Sequence, residues 1–135
     1  MDFDLEARAR LRAVTNQFAT SADRGESMKA ILMLSDTFGY GLEGELKPKG
    51  ALANILMMRQ VSEYETRHHT MEPTMTRILP DRISGIVPIS STKKENGKVT
   101  FSTNEFHVTI IPVGDTWKID RLNMVPFAAG ILGEM

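Results

Sequence analysis

An α+β fold, three helices followed by a curved and mostly antiparallel sheet, is predicted by three features of this sequence. Between residues 4 and 22 the apolar side chains of Ala7, Leu11, Val14, Phe18 and Ala22 recur at steps of three and four, which puts them on one face of a helix. Beyond residue 65 the chain becomes rich in β-branched residues and is cut by the turn pairs Pro80-Asp81, Asn96-Gly97 and Gly114-Asp115, the punctuation of an antiparallel meander. The 135 residues, 41% hydrophobic and 24% charged, suffice for one core and are too apolar for a disordered chain. A single domain over residues 1–135 is expected, with neither linker nor internal repeat.

Each element follows from its residues. The first helix ends where Asp23-Arg24-Gly25-Glu26 breaks the periodicity. Met28, Ile31, Leu32 and Leu34 then suggest a short second helix that docks beside the first. Asp23 followed three residues later by Glu26 reads as a capping box for that second helix, with Asp23 as its N-cap. Residues 38–46 hold three glycines and alternate Phe38, Tyr40 and Leu42, the period of a strand. Pro48-Lys49-Gly50 closes it, and residues 51–64 place Leu52, Ile55, Leu56 and Val61 at helical spacing for a third helix. Four extended runs complete the chain, at about residues 67–79, 82–92, 98–111 and 116–126, with connections short enough for antiparallel neighbours. Helices gathered ahead of such a sheet pack on one of its faces. Curled around the first helix, the sheet becomes a half-open cone.

Composition excludes several function classes. Sixteen Lys and Arg against seventeen Asp and Glu leave a net charge of −1, without the basic excess that nucleic acid or an anionic membrane surface demands. The absence of cysteine removes disulfides, thiolate metal sites and thiol nucleophiles together. The start Met1-Asp-Phe-Asp-Leu-Glu is acidic where a signal peptide is basic, and no apolar run approaches the ~20 residues of a membrane span. A cytoplasmic, unprocessed chain is expected.

Four local patterns carry a resemblance. They are Phe18-Ala-Thr-Ser-Ala-Asp23-Arg-Gly-Glu26 at the end of the first helix, Lys49-Gly50 before the third, Arg67-His68-His69-Thr-Met-Glu-Pro73 opening the meander, and Asp115-Thr-Trp117-Lys-Ile119 in the last strand. In this order and at these separations, over roughly residues 5–124, the chain resembles the nuclear transport factor two-like superfamily, and more closely its SnoaL-like and scytalone-dehydratase-like members. The resemblance implies a cone-shaped α+β barrel. It also implies that His68, on the strand after the third helix, is a general base, and that Asp23 hydrogen-bonds to it. Relatives of this kind are often homodimers, so a homodimer is expected.

An imidazole can take a proton from an activated C–H or O–H and return it to a leaving oxygen at neutral pH. A carboxylate on the other ring nitrogen fixes the tautomer and supports the imidazolium that forms. Asp23 and His68 would together perform cofactor-free elimination or isomerisation on a hydrophobic cyclic or polyketide-like molecule, with Tyr40 or Tyr64 polarising an oxygen. Two readings stand beside this lyase or isomerase. One is a SnoaL-type polyketide cyclase in which Asp23 itself handles the proton. The other is a non-catalytic ligand-binding or assembly module in which Asp23 only caps the second helix.

The remaining candidates fill in the pocket. His68 and His69 are strand neighbours and point to opposite faces, so at most one enters it; the resemblance chooses His68, and a one-residue shift would choose His69. His107 would be a second imidazole there, as in the scytalone-dehydratase pattern, although Phe106, Val108 and Ile110 form a face of their own opposite to it. No metal is expected, because adjacent strand histidines cannot chelate one ion. Nine methionines, Met58 among them, could wall an adaptable apolar site. Phe18 stands where some relatives carry a substrate-binding Tyr, and Arg121 falls one residue out of register with a family arginine. The apolar tail 124–135 is expected to cover the cavity mouth or a partner subunit, with Phe127 as the lid residue.

Overall fold

The computed structural model describes residues 3–42, 45–60 and 65–126. Its elements are α1 (Phe3–Asp23), α2 (Ser27–Leu32), β1 (Leu34–Leu42), β2 (Glu45–Pro48), α3 (Lys49–Gln60), β3 (Glu65–Thr70), β4 (Met75–Leu79), β5 (Arg82–Glu95), β6 (Lys98–Val113) and β7 (Thr116–Pro126). The strands form one sheet in the order β2-β1-β7-β6-β5-β3, with β4 also paired to β5. Every pairing is antiparallel except β1 with β7, which is parallel. The sheet is mixed and unclosed, and the helices pack on it as a cone-shaped α+β fold requires.

The periodic face of α1 is the buried one. Ala7, Leu11 and Phe18 join the core and Val14 and Ala22 pack against it, facing Val87, Ile89, Phe106, Val108, Ile110, Ile119 and Leu122 on the sheet. Leu52 and Leu56 of α3 close the same cluster. The helix reaches the sheet closely at Gly85, where a Cβ would lie 2.4 Å from the Met75 carbonyl oxygen and 2.6 Å from a Leu11 methyl. The β5–β6 hairpin turns at Asn96 and Gly97, whose φ angles of 54° and 77° are the positive pair that a tight hairpin turn uses.

Several boundaries differ from the sequence expectation. The run at 67–79 is two strands, β3 and β4, both antiparallel to β5. Residues 71–74 oppose only residues 87–88 between them, because Pro73 has no N–H to offer a ladder. Met71 and Thr74 still donate to Pro88 and Ile86, at 2.9 Å each, so the excursion stays tied to β5. The strand expected at 38–46 starts earlier, at Leu34, and ends at Leu42; Glu45 and Leu46 belong to a separate strand, β2, that pairs antiparallel with β1, and Leu34 belongs to β1 and not to α2. The third helix spans Lys49–Gln60, and Val61 to Tyr64 lie outside the described residues.

Strand β3 ends the sheet path, and α1 holds it from the other side. Arg12 donates to Glu72 Oε1 at 2.7 Å and to the Thr70 carbonyl at 3.0 Å, while the Thr70 hydroxyl donates to Asn16 Oδ1 at 3.1 Å. Such bonds are each worth about 0.5–1.5 kcal/mol net. Together they fix the register in which the last turn of α1 meets β3. Among the described residues no helix is long and apolar enough to cross a membrane.

Candidate active site

Alternation along β3 sends Thr66, His68 and Thr70 toward α1 and leaves Arg67 and His69 exposed. Asp23, the last residue of α1, meets that inner row. His68 Nδ1 lies 2.7 Å from Asp23 Oδ1, the Thr66 hydroxyl donates to the same oxygen at 2.8 Å, and the His68 main-chain N–H donates to Oδ2 at 2.7 Å. Both side chains are largely enclosed, His68 20% and Asp23 11% exposed. Burial alone would push the Asp23 carboxyl up. The hydrogen bond and charge of His68, the Thr66 hydroxyl and the His68 amide outweigh it and hold Asp23 below the ordinary carboxylate value.

An ionised carboxylate can only accept, so the His68 ring, whenever it holds a single proton, carries that proton on Nδ1, facing Asp23 Oδ1. Its Nε2 lone pair is then left without a partner among the described residues. The pair borders an open cleft of about 550 Å³ between the end of α1 and β3, lined also by Thr20, Arg24, Glu65, Thr66, Arg67 and His69. The lining is polar throughout rather than the apolar wall expected, and His69 reaches the cleft as well as His68 because the cleft opens at the edge strand. On the inner face of the sheet, the apolar side chains nearest in register are Ile89, opposite Thr70, and then Val87 with its partner Phe106, all buried in the core. Chemically this is an oriented base beside a fixed anion.

The capping box is not formed. Helix α2 begins at Ser27 with Glu26 as N-cap and no side-chain cap bond, and Glu26 pairs instead with Lys29 at 2.8 Å. Asp23 is drawn away because three donors on β3 satisfy both of its oxygens, whereas a cap would supply one or two helix amides.

The other candidates scatter. Tyr40 and Phe18 are core residues, and burial raises the Tyr40 hydroxyl above its usual pKa. Met58, expected in the pocket wall, is 71% exposed on α3 and lies outside the core cluster. His107 is not a second imidazole beside His68: Phe106, Val108 and Ile110 take the buried face, so His107 points to the opposite side of the sheet. There it faces an outer cleft of about 450 Å³ with Arg77, Ser84 and Arg121. Tyr64 and Phe127 lie outside the described residues. Thr66 was missed by sequence reasoning, although the two-residue period Thr66, His68, Thr70 marks it as sharing the His68 face.

A second polar cluster sits at the β1–β7 junction. Asp120, buried on β7, accepts from Ser35 at 2.7 Å and Thr37 at 2.5 Å, and Arg121 approaches its other oxygen at 3.2 Å. Burial pushes this carboxyl up, but the Thr37 and Ser35 hydroxyls and the charges of Arg121 and Arg82 hold it below its ordinary value. Arg121 also donates to the Thr37 carbonyl at 2.8 Å, so its partners are structural. Among the described residues no three carboxylate or imidazole groups converge as a metal-binding set.

No family model and no curated protein matches the chain by sequence. Solved structures do. A scytalone dehydratase-like protein from Novosphingobium aromaticivorans superposes with a TM-score of 0.80 at 9% identity, over 92% of this chain and 86% of that one. The β subunit of an aromatic-ring-hydroxylating dioxygenase-like protein from the same organism gives 0.76 at 13% identity, over 93% and 92%. An NTF2-like protein with a cystatin-like fold, again from Novosphingobium aromaticivorans, gives 0.73 at 13% identity, over 96% and 88%. With the unclosed mixed sheet, the helices on its inner face and these superpositions taken together, the chain has the fold of the nuclear transport factor two-like superfamily.

Proposed function

We propose that this protein is a cofactor-independent lyase or isomerase, dehydratase-like, that uses His68 and Asp23 for general acid/base catalysis on a hydrophobic cyclic or polyketide-like small molecule. The observation that carries the reading is the 2.7 Å contact between His68 Nδ1 and Asp23 Oδ1, which leaves Nε2 as the base. Nε2 takes the proton from a C–H beside a carbonyl, and the C–H electrons become a C=C bond as a β-oxygen leaves. The imidazolium, supported by Asp23, gives the same proton to that oxygen, and water departs. If no oxygen leaves, return of the proton to a different carbon gives isomerisation. Such proton transfer contributes about 10²–10⁴-fold.

The depressed Asp23 carboxyl favours an anionic support over the proton-handling acid of a cyclase. A fold shared with a dehydratase-like protein supports the reaction class by analogy only, since one fold hosts many chemistries. The test is solvent deuterium exchange and water loss in a panel of β-hydroxy cyclic ketones, for wild type and H68Q. The expected result is wild-type exchange well above buffer and a loss of about 10²–10⁴-fold in H68Q. Equal rates in the two proteins, or none above buffer, would sink the reading. In this reading the compartment is the cytoplasm, neither nucleic acid nor a membrane is a partner, and the working unit is a homodimer, which light scattering on the eluted protein reads as twice the chain mass.

A further inference from the structure

The sheet face turned away from α1 carries a cleft whose polar groups neither the dyad nor the fold uses up. Two rows of paired residues form it. Arg77 on β4, Ser84 on β5, Thr109 on β6 and Arg121 on β7 stand in direct register. The next row holds Met75, Ile86, His107 and Asn123. Directly paired residues in an antiparallel sheet share a face, and this face is opposite to the one that buries Val108 and Ile110. Both rows line one open cleft of about 450 Å³, a size usual for a small-molecule site.

The charges of the cleft do not cancel. Asp120 takes Nη1 of Arg121 at 3.2 Å, which balances that guanidinium but leaves its Nη2 and Nε without a partner among the described residues. Arg77 has no hydrogen-bond or ion-pair partner among them at all, and no carboxylate lines the cleft. Glu105 approaches His107 Nε2 at 3.8 Å from the row beyond. Along β6 it stands four residues, ~13 Å, from the row of Arg77, farther than the Debye length of about 8 Å at physiological salt. One positive charge is therefore uncompensated. Between the two arginines the Ser84 and Thr109 hydroxyls share a bond of 3.0 Å, which uses one O–H and leaves the other to a ligand. Beside these donors lie Ile86 and Met75, the latter 66% exposed.

We propose that this outer cleft binds a small organic acid with one carboxylate and an apolar body. Arg77 meets the carboxylate, with the free edge of Arg121 and the Ser84–Thr109 hydroxyls beside it, because a planar guanidinium matches a carboxylate with two parallel N–H···O bonds. A single uncompensated cation suits a monoanion, whereas a dianion would carry a charge with no counterpart. The apolar body covers Met75 and Ile86, which a bare inorganic ion would leave in water. The site lies across the sheet from His68 and stands independently of the dyad.

The test is a titration of wild type and R77Q with benzoate, its neutral isostere benzamide, and acetate at constant ionic strength, followed through the backbone amide signals of residues 77, 84, 107 and 121. Wild type is expected to bind benzoate about 10–100-fold more tightly than benzamide, the worth of a charge-assisted hydrogen bond. Acetate, with the same head and no ring, should bind about tenfold more weakly than benzoate. In R77Q the preference for benzoate over benzamide should fall to within about threefold while benzamide affinity holds; an unchanged spectrum away from the cleft verifies the fold. Absence of benzoate binding, shifts confined to residues 66–68, affinity for benzoate no greater than for benzamide or acetate, or a preference that survives R77Q overturns the proposal. Shifts of the same amides on dilution of the ligand-free protein would mark this face as a contact between copies, and overturn it as well.

Discussion

Replacing Asp23 by Asn keeps the shape of the side chain and removes one of its two acceptors, which forces a choice. Asp23 takes His68 Nδ1 and Thr66 Oγ1 on Oδ1 and the His68 main-chain N–H on Oδ2. If the Asn carbonyl faces the ring, its NH₂ points at the main-chain N–H, and a half-buried donor is left unmet at about 1–3 kcal/mol. If the amide turns over, its carbonyl accepts the main-chain N–H and its NH₂ donates to Nδ1, while the Thr66 hydroxyl rotates to accept. The second arrangement satisfies every group. It moves the ring proton to Nε2, where the base was. D23N is therefore expected to lower turnover by up to roughly the same 10²–10⁴-fold that removal of the base costs, since a wrong tautomer disables the base. Stability should drop by about 1–3 kcal/mol as charge-assisted bonds become neutral ones. Nitrogen-15 spectra of the His68 ring read the tautomer, and urea unfolding reads the stability. A D23N protein that keeps its ring proton on Nδ1 and unfolds within about 0.5 kcal/mol of wild type would refute the geometry argued here.

Three further outcomes follow from the same structure. T66V removes one of the groups holding Asp23 down, so its carboxyl titrates higher than in wild type while T66S restores it; carbon-13 carboxyl titration decides, and an unmoved T66V excludes Thr66 as a positioning residue. Asp120 has a depressed folded-state pKa, so its contribution is present above the unfolded value of about 3.9 and is lost as pH falls through the folded one. D120N should thus cost about 1.5–3 kcal/mol near neutrality, with the gap to wild type closing in acid; urea midpoints that stay equally separated at both pH values would contradict this. G85A drives a Cβ into the Met75 carbonyl and Leu11 and should destabilise by about 1–3 kcal/mol, and a thermal midpoint equal to wild type would show that α1 does not close on the sheet there.

The legible parts of the fold were those with a strong local signal. Ala7, Leu11 and Phe18 repeat at helical spacing and are buried together, and Asn96-Gly97 marks a hairpin that forms at that dipeptide. The interrupted edge was not legible, because whether Pro73 ends a strand or sits in a bulge depends on the partner at 87–88. Asp23 shows most directly why local reading fails. Its spacing to Glu26 fits a cap, but the donors it meets are 43 and 45 residues away, and only tertiary packing brings them. Alternation showed that one of His68 and His69 must face inward, yet not which; the α1 contacts of Thr70 settle the phase of the strand. Periodicity likewise set His107 opposite Phe106, Val108 and Ile110, but the buried face could be named only once α1 was in place.

The carboxylate that orients the imidazole is also a fastening for the strand that carries it. Three of the donors on Asp23 come from β3, which is the last strand on the sheet path and has its other hold on α1 through Arg12 and Thr70. Peeling of β3 from the body would separate base and anion in a single event. The fraction of molecules competent for proton transfer then equals the fraction with that edge closed, and amide hydrogen exchange at residues 66–70 becomes a clock for the working lifetime of the site. A ligand bridging α1 and β3 would slow that clock.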